Sequence, residues 1–487
     1  MINMKKRSIA NNFVLQFLYR ILIYVAPLVV SPYLTRVIGN KGLGVYQYSY
    51  TIAYYFVLLS MLGIEKYGQR LIATSVSDPI KLRKSFWSLY SLHFSISLVS
   101  MILFLLFVTL FVKEDRIIFY IQTVYVASAI FDITWFFQGI EDFKSVVIRN
   151  SLIKLFEGVA IFTLVKTADD LWLYSLIASG AWLLGQLAMM PQALRIVKPI
   201  GFSKDEVLQH IKPLFVLSIA VIAVSLYTVF DKTLLGIMTT KENVAYYEYS
   251  NKIINIPKMI IAVIGTVLFP RACKLAYEGD LVGLKKYMNY SIIATAMIGF
   301  ASFWGLMATA NAIAILYYGN DFAVCGSVIK ALSPNILIIE LGGILRAQYL
   351  IPKQMDKEYT ICICLNAVIN LVLSIALIPF CGIYGAIIGT TAAELFGLIY
   401  QMRLSKEVIL WKDLGKECFP FCIIGLAMFL LLRALNNFMD MSIINLLIQV
   451  VVGAIAFSVM SFAYLMLFRR EFGDLLLGKA KSFLHIK

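Results

Sequence analysis

The stretch FVLQFLYRILIYVAPLVVSPYLTRV (residues 13–37) is a nearly unbroken apolar run, long enough to cross a bilayer as one helix. Similar runs recur along the 487-residue chain, which is 60% apolar and 15% charged. Soluble domains are about 45–50% apolar and about 25% charged, so no soluble core would bury this much apolar surface. The pattern predicts an all-α polytopic membrane protein whose first run is a retained span, because it is too long for a signal peptide.

Hydropathy predicts about fourteen transmembrane helices. They are expected at residues 12–37, 43–64, 86–112, 117–140, 147–166, 170–192, 213–236, 244–270, 288–309, 326–350, 359–379, 383–403, 418–435 and 442–468. An even number of helices places both termini on one side. Segments on that side carry 29 Lys and Arg residues against eight on the other, which predicts both termini in the cytoplasm of a multi-pass cell-membrane protein.

Three weak self-matches predict an internal repeat of six helices. The matched pairs are 44–50 (GVYQYSY) with 245–251 (AYYEYSN), 77–86 with 278–287, and 138–144 (QGIEDFK) with 351–357 (IPKQMDK). Because six is an even number, the two copies would be parallel repeats. Some transporters use this arrangement to hold a substrate between two halves.

The repeat predicts four regions along the chain. They are an N-terminal six-helix lobe (1–192), a cytoplasmic linker (193–212), a C-terminal six-helix lobe (213–404), and two appended helices with a cytoplasmic tail (405–487). All loops are short and no GxxxxGK[ST] phosphate loop is present, so the chain is not expected to hydrolyse ATP. The basic residues give a net charge of +15 but are dispersed, so no nucleic acid is predicted as a partner. The seven cysteines and three histidines show no metal-ligand or redox spacing, and no catalytic site, metal or cofactor is predicted.

Several motifs resemble those of a known family. The runs YLTRVIGNKGLGVY (33–46), WFFQGIEDFK (135–144) and DKTLLG (231–236) resemble the polysaccharide-synthesis (Wzx-type) flippases. These belong to the MOP superfamily, which also contains MATE drug exporters and MurJ-type lipid II flippases. Residues 268–275 and 378–394 fit the same pattern, so the resemblance covers essentially the whole chain.

The resemblance implies a fold and a function. The fold would be a V-shaped pair of six-helix lobes around a central cavity. The substrate would be an undecaprenyl-diphosphate-linked oligosaccharide repeat unit, a precursor of capsule, O-antigen or exopolysaccharide, moved across the cytoplasmic membrane by alternating access. The implied partners are this lipid-linked sugar, the lipid bilayer and the polysaccharide polymerase machinery, and the chain would not be an enzyme.

Charges inside the predicted helices are candidate site residues. Each costs about 2.5–3.5 kcal/mol on insertion scales, so each needs a partner or a water-filled cavity. The candidate substrate-cavity cations are Arg20, Arg36, Lys154, Lys252 and Lys258. Cations at several depths would stabilise a diphosphate that hydrocarbon excludes. Arg20 is the strongest single candidate, because no acidic residue lies three or four positions away.

Other interpretations of these charges stay open at this point. The pairs that could neutralise each other on one helix are Glu248 with Lys252 and Lys154 with Glu157. Lys330 and Arg346 could extend their charged ends to the membrane interfaces instead of a cavity. Arg36 could be an interfacial anchor rather than a cation at the exit of the cavity.

Acidic and aromatic residues add further candidates. Asp132, Glu340 and Glu394 could balance the cations or bind a coupling ion, either Na⁺ or H⁺, and membrane potential is a third possible energy source. Trp135 and Gln138 could contact the sugar. The alternative for Trp135 is an ordinary place at the membrane interface, where tryptophan is common.

Prolines within predicted helices are candidate hinges, because each removes a helix hydrogen bond. Pro27 and Pro32 interrupt the first helix, Pro257 the eighth and Pro334 the tenth. A helix with two prolines is a reasonable hinge for alternating access. Static kinks that only shape a cavity are the alternative interpretation of all four positions.

Two rival functions stay open, one a transporter with the same fold and the other an enzyme. A cation-coupled, MATE-like small-molecule exporter would share the fold, and a mainly acidic or aromatic cavity would favour it. A membrane enzyme such as a polymerase or ligase would need a sizeable outer loop that carries catalytic groups, and the outer loops of this chain are short. The sequence therefore favours the flippase.

Overall fold

The computed structural model describes the backbone of residues 9–471 and 473–474, and their side chains except at 9–21, 24 and 219–228. The described backbone is helical and contains no strand, which confirms the predicted all-α class. The helices are α1 (Ile9–Val37), α2 (Gly39–Met61), α3 (Ile64–Ala73), α4 (Pro79–Phe111), α5 (Arg116–Ser128), α6 (Thr134–Gly139), α7 (Phe143–Leu164), α8 (Leu171–Ile196), α9 (Lys204–Leu208), α10 (Ile211–Met238), α11 (Lys241–Tyr277), α12 (Leu281–Ala312), α13 (Cys325–Leu332), α14 (Pro334–Leu345), α15 (Asp356–Cys381), α16 (Ile383–Leu404), α17 (Trp411–Asn436) and α18 (Ile443–Phe468).

The helices present much of their apolar surface outward. Among the described residues, nine helices are long and apolar enough to cross a membrane, or ten if the bent pair α13 and α14 forms one span. Only 17% of the most apolar window of α18 and 22% of that of α4 is buried within the protein. Lipid rather than water is the solvent that such surfaces require. The chain is a multi-pass membrane protein, and the total of fourteen spans stays a prediction.

The chain divides into two compact units, Met1–Ala245 and Tyr246–Lys487. In the first unit α2 packs against α4, α5 and α10, while α8 packs against α5 and α7. In the second unit α12 packs against α14 and α17, and α15 and α16 form a close antiparallel hairpin. The boundaries predicted for the lobes at 192, 212 and 404, and the arrangement of the two repeats, stay predictions.

Two elbows at repeat-related positions share one backbone conformation. Glu141 has φ of 59° and Gln354 has φ of 57°, and these residues occupy equivalent positions in the match between 138–144 and 351–357. In the first elbow the Asp142 amide donates to the Phe137 carbonyl at 2.8 Å. In the second the Met355 amide donates to the Leu350 carbonyl at 2.9 Å, so each bond spans five residues. This is the bonding of a Schellman-type helix end, so the match reflects equivalent local structure in the two units.

Two of the predicted continuous helices are interrupted in the structure. The predicted helix 117–140 breaks around Asp132, whose side chain accepts a hydrogen bond from the Thr134 amide at 2.9 Å. A short polar side chain of this kind offers the backbone an alternative to the helix ladder. The predicted helix 326–350 bends by 43° between Leu332 and Pro334. Pro27 and Pro32 lie within α1 and Pro257 within α11, and the hinge role of all four prolines stays a prediction.

Candidate functional site

A polar cavity of about 230 Å³ lies within the first unit. Its walls are the end of α2, the start of α3, the chain around the break at Asp132, and the facing sides of α7 and α8. Its charged, amide and exposed aromatic lining residues are Glu65, Asp132, Arg149, Asn150, Lys154, Glu157, Trp182 and Gln186. Of the predicted site residues, Asp132, Lys154 and Trp135 are brought together here.

Lys154 is held by an acidic neighbour in this cavity. Its ammonium lies 2.7 Å from a carboxylate oxygen of Glu157, three residues along α7, and 5.9 Å from the ring centre of Trp182. Both charged side chains are less than one-third exposed. This is the pairing that the alternative interpretation describes, so an anion that bound Lys154 would have to compete with Glu157.

Arg149 is fixed across the cavity by the neighbouring helix. Its Nη1 donates to the side-chain oxygen of Gln186 at 2.8 Å and to the Gly185 carbonyl at 3.4 Å, both on α8. Its Nε donates to the Asn150 side-chain oxygen at 2.8 Å. The guanidinium therefore bridges α7 and α8, with two side-chain amides and one backbone carbonyl as partners.

Two tryptophans border the cavity in different ways. Trp135 is fully buried, stacks on Phe86 with ring centres 5.5 Å apart, and donates its indole N–H to the Asp132 carbonyl at 3.1 Å. Trp182 is 43% exposed and can present a ring face to a ligand. Gln138 is half-buried at the end of α6. The sugar-contact role of Trp135 and Gln138 stays a prediction.

A second group of charges lies within the other unit. Lys258 on α11 is half-buried and interacts electrostatically with Glu340 on α14 and Glu394 on α16. Glu340 also interacts with Arg346, which follows α14. Three predicted site residues are thus brought together with Arg346 in a group of two cations and two acids. We call it the second-unit charge cluster.

A cavity adjoins this cluster. It measures about 420 Å³ and is lined by apolar residues of α11 and by Glu340 and Arg346. Arg346 also lies 5.8 Å from the ring centre of Tyr359 on α15. Arg346 therefore has an acidic and an aromatic neighbour inside the second unit, and its extension to a membrane interface stays a prediction.

The remaining predicted cations lie elsewhere. Arg36 is exposed at the end of α1, and its Nη1 donates to the Pro32 carbonyl at 2.7 Å. Lys252 is half-buried on α11, with its ammonium 4.0 Å from the ring centre of Tyr249. The side chain of Arg20 lies outside the described residues. Within the described ranges, no three His, Cys, Asp or Glu side chains converge as a metal site.

The turn between α10 and α11 packs closely on α2 within the first unit. The Lys241 ammonium lies 3.4 Å from the ring centre of Tyr48 and donates to the Gly236 carbonyl at 2.7 Å. A Cβ at Gly44 would lie 2.0 Å from the Lys241 carbonyl oxygen, and one at Gly236 would lie 2.1 Å from the Tyr48 ring. Glycine at both positions permits this close approach, which we call the α2–α11 contact.

Comparisons with known proteins cover both units. The polysaccharide biosynthesis protein family matches residues 9–276. The lipid II flippase MurJ family matches residues 158–473. The chain belongs to the polysaccharide-synthesis (Wzx-type) flippases of the MOP superfamily. The family resemblance predicted from the sequence is thereby confirmed.

Relatives of this Wzx-type chain are also named as transporters. A "Putative O-antigen transporter" of Shigella dysenteriae is 25% identical over 400 residues, covering 81% of this chain and 99% of the relative. A protein of the same name from Escherichia coli K12 is 23% identical over 402 residues, covering 80% and 95%. The relatives are named as transporters and the second matching family as a flippase, which confirms the prediction that the chain is not an enzyme.

Solved structures support the fold of the Wzx-type chain. Lipid II flippase MurJ in an inward closed conformation has a TM-score of 0.75 at 16% identity, covering 94% of this chain and 99% of that chain. An inward-facing multidrug resistance MATE transporter of the MOP superfamily has a TM-score of 0.58 at 15% identity, covering 82% and 96%. At these identities the likeness concerns the fold alone.

Sequence reasoning missed several residues of the first-unit cavity in this Wzx-type chain. Arg149 was not among the candidate cations, since it lies near the start of the predicted helix 147–166, and its partner Gln186 is 37 positions away. A usable signal was present in α8. Four of its polar and aromatic residues, Ser175, Ser179, Trp182 and Gln186, recur at helical spacing and form one stripe along the helix.

Proposed function

We propose that this protein moves an undecaprenyl-diphosphate-linked oligosaccharide repeat unit across the cytoplasmic membrane. The single observation that carries the proposal is membership of the polysaccharide-synthesis flippase family along both units. The relatives named as O-antigen transporters support a sugar polymer precursor as the cargo. The protein would have both termini in the cytoplasm and about fourteen spans, and it would deliver its product to the polymerase machinery.

The charges inside apolar helices support an anionic cargo. Lys258 and Arg346 lie in the second-unit charge cluster, beside a cavity of about 420 Å³. A diphosphate in hydrocarbon requires cations with several hydrogen-bond donors. In this proposal Lys258, Lys252 and Arg20 contact the diphosphate during transfer, and Arg36 contacts it at the outer end of α1. Lys154 is paired with Glu157 and lines the first-unit cavity, so it is not among these diphosphate contacts.

The acidic residues near these cations are the proposed coupling or balancing residues. Glu340 and Glu394 share Lys258, so a bound diphosphate that attracted Lys258 would leave both carboxylates in need of a proton or Na⁺. Asp132 would have the same part in the first unit. A gradient of either ion, or the membrane potential acting on the charged cargo, would then supply the energy of transport.

Alternating access is proposed as the transport cycle. The α2–α11 contact joins the start of α2 to the turn before α11, at the ends of helices that the charge bias places on the outer side. It would close the outer side, and it would have to separate when the cargo leaves. The prolines of α1 and α11, and Pro334 before α14, would take up the bending.

A MATE-like exporter of small cations is the second candidate. The observation that favours it is the first-unit cavity, where three acids face two bases. The deciding experiment deletes the protein in its native cell and analyses the lipid-linked intermediates. The proposed function predicts accumulation of an undecaprenyl-diphosphate-linked oligosaccharide in the inner leaflet and loss of the surface polymer. Normal polymer together with raised sensitivity to cationic drugs would instead support the exporter.

A further inference from the structure

The first-unit cavity is a poor place for a phosphate group. Glu65, Asp132 and Glu157 carry three negative charges against the two positive charges of Arg149 and Lys154, a formal charge of −1. An added anion is repelled by this excess, and the repulsion is stronger near hydrocarbon than in water. The diphosphate of the proposed cargo is therefore expected to bind elsewhere.

The two cations of the cavity are also engaged. The Lys154 ammonium is 2.7 Å from the Glu157 carboxylate, and the Arg149 guanidinium donates to Gln186 at 2.8 Å. An anion could recruit them only by breaking these contacts. Charge-assisted hydrogen bonds are about twice as strong as neutral ones, so the pair of Lys154 and Glu157 would be costly to separate.

The lining suits a neutral, hydroxyl-rich ligand instead. Carboxylates accept hydrogen bonds, while the side-chain amides of Asn150 and Gln186 can both donate and accept, as sugar hydroxyls do. Trp182 adds a large aromatic ring that is 43% exposed. The negative face of such a ring attracts the weakly positive C–H groups on one side of a pyranose.

The size of the cavity limits the ligand. Pockets for drug-sized ligands measure about 300–1,000 Å³, and this one, at about 230 Å³, is slightly smaller. We infer that the first-unit cavity binds one neutral or amino sugar residue of the transported oligosaccharide, with the ring of Trp182 beneath it. This sugar subsite rests on the proposed function and is distinct from the groups that hold the diphosphate.

The subsite is tested with two probes that differ only in the sugar. Binding of undecaprenyl diphosphate and of undecaprenyl diphosphate–N-acetylglucosamine to the full-length protein is measured in lipid nanodiscs. We expect the wild-type protein to favour the glycosylated probe by about five- to tenfold, the value of one or two hydrogen bonds. Trp182→Ala should remove this preference and leave affinity for the sugar-free probe unchanged.

Two further variants separate a sugar subsite from other roles. Trp172→Ala is the matched control, because Trp172 is 48% exposed on the same helix and is not among the described residues that line the cavity. It should keep the wild-type preference. The double variant Lys154→Met with Glu157→Gln removes one charge of each sign and keeps the formal charge of −1, so the sugar-free probe should bind as tightly as it does to the wild-type protein. Weaker binding of that probe would indicate that Lys154 contacts phosphate and would overturn the inference.

The outcomes for the inference and for the proposed function differ. Equal wild-type affinity for both probes, or an equal loss for both probes in Trp182→Ala, would overturn the sugar subsite while leaving the flippase in place. A wild-type protein that binds neither probe would count against the proposed function itself, and the subsite would fail with it.

Discussion

Lys258 interacts electrostatically with two carboxylates, and we expect its charge to matter for stability as well as for the proposed transport. Replacing Lys258 with Met leaves Glu340 and Glu394 without that cation, which we expect to destabilise the fold by roughly 2 kcal/mol, since the group is only half-buried. Thermal unfolding of the purified protein in detergent measures this loss.

A second variant separates stability from transport at the same cluster. The double variant Lys258→Met with Glu340→Gln removes one charge of each sign and should recover most of the lost unfolding temperature. It should still fail to export the polymer, because the proposed diphosphate contact is gone. Export at the wild-type level by this double variant would remove Lys258 from the transport mechanism.

Arg20 carries the most direct prediction from sequence alone. Arg20→Ala should abolish polymer export at unchanged protein level, because a cation without a nearby acid on its own helix is available for the diphosphate. Arg20→Lys should keep part of the activity if charge matters more than bidentate geometry. Export and membrane abundance are measured together, and normal export by Arg20→Ala would contradict the prediction.

Residue-level features were predictable where the signal is local. Lys154 and Glu157 are three positions apart, and their pairing follows from helix geometry. Arg149 and Gln186 meet only because α7 packs against α8, so no local spacing predicts their contact. Burial of Trp135 likewise depends on Phe86 and other residues distant in the chain, which an interfacial tryptophan motif does not reveal.

Helices were predicted well where apolar runs have clear ends, and less well where a helix breaks inside such a run. The apolar sequence continues through Asp132, and only the hydrogen bond from the Thr134 amide reveals the interruption. The elbows were the opposite case. Their weak sequence match aligns Glu141 with Gln354, and both residues have the left-handed backbone, while the repeat itself stays a prediction.

The α2–α11 contact makes a prediction at the level of helix packing. Gly44→Leu places a side chain against the Lys241 backbone, where even a Cβ would lie at 2.0 Å, so the contact should open and transport should fall at least tenfold. Gly180→Leu on α8 is the matched control, since a Cβ there meets no atom of the described residues within 4 Å. Equal activity of the two variants would contradict a closing role for this contact.

A pH-dependent contact joins the segment before α10 to α3 and α4 within the first unit. His210 is buried, with its Nδ1 2.7 Å from the Tyr67 hydroxyl and its Nε2 3.0 Å from the Ser88 hydroxyl. Burial lowers the pKa of His210 below its ordinary value of 6.5. As the pH falls, the unfolded chain therefore binds a proton at His210 before the folded protein does. The stabilising effect of the neutral imidazole is complete above pH 6.5 and is lost as the pH falls through the pKa of the folded state.

The matching experiment compares unfolding temperatures. Between about pH 7.5 and about pH 5.5, the wild-type protein should lose more stability than His210→Gln, which has no ionisable group at this position. Differential scanning fluorimetry of both proteins in detergent gives the comparison. Parallel pH curves for the two would show that His210 is not the group responsible.

For the molecule as a whole, composition and charge bias were enough to predict a multi-pass helical protein, and family motifs such as WFFQG (135–139) were enough to predict its superfamily. The grouping of site residues was not predictable in the same way. Lys258, Glu340 and Glu394 lie on three helices, and only packing within the second unit places them in one cluster. The number of charged residues inside the predicted helices does not by itself separate the proposed phosphate contacts from the proposed sugar subsite.

The proposed function requires this chain to move a lipid-linked oligosaccharide across a bilayer without another protein. The direct measurement uses liposomes that contain the full-length protein and the lipid-linked oligosaccharide. The oligosaccharide is extracted from cells in which the gene for this protein is deleted, and periodate is added outside the liposomes to oxidise exposed sugar. We expect oxidation to continue past the outer-leaflet half until nearly all of the glycolipid has reacted, at a rate altered by an imposed Na⁺ or H⁺ gradient or membrane potential. Oxidation that stops at the outer-leaflet half, as in protein-free liposomes, under every imposed gradient and potential would contradict the claim.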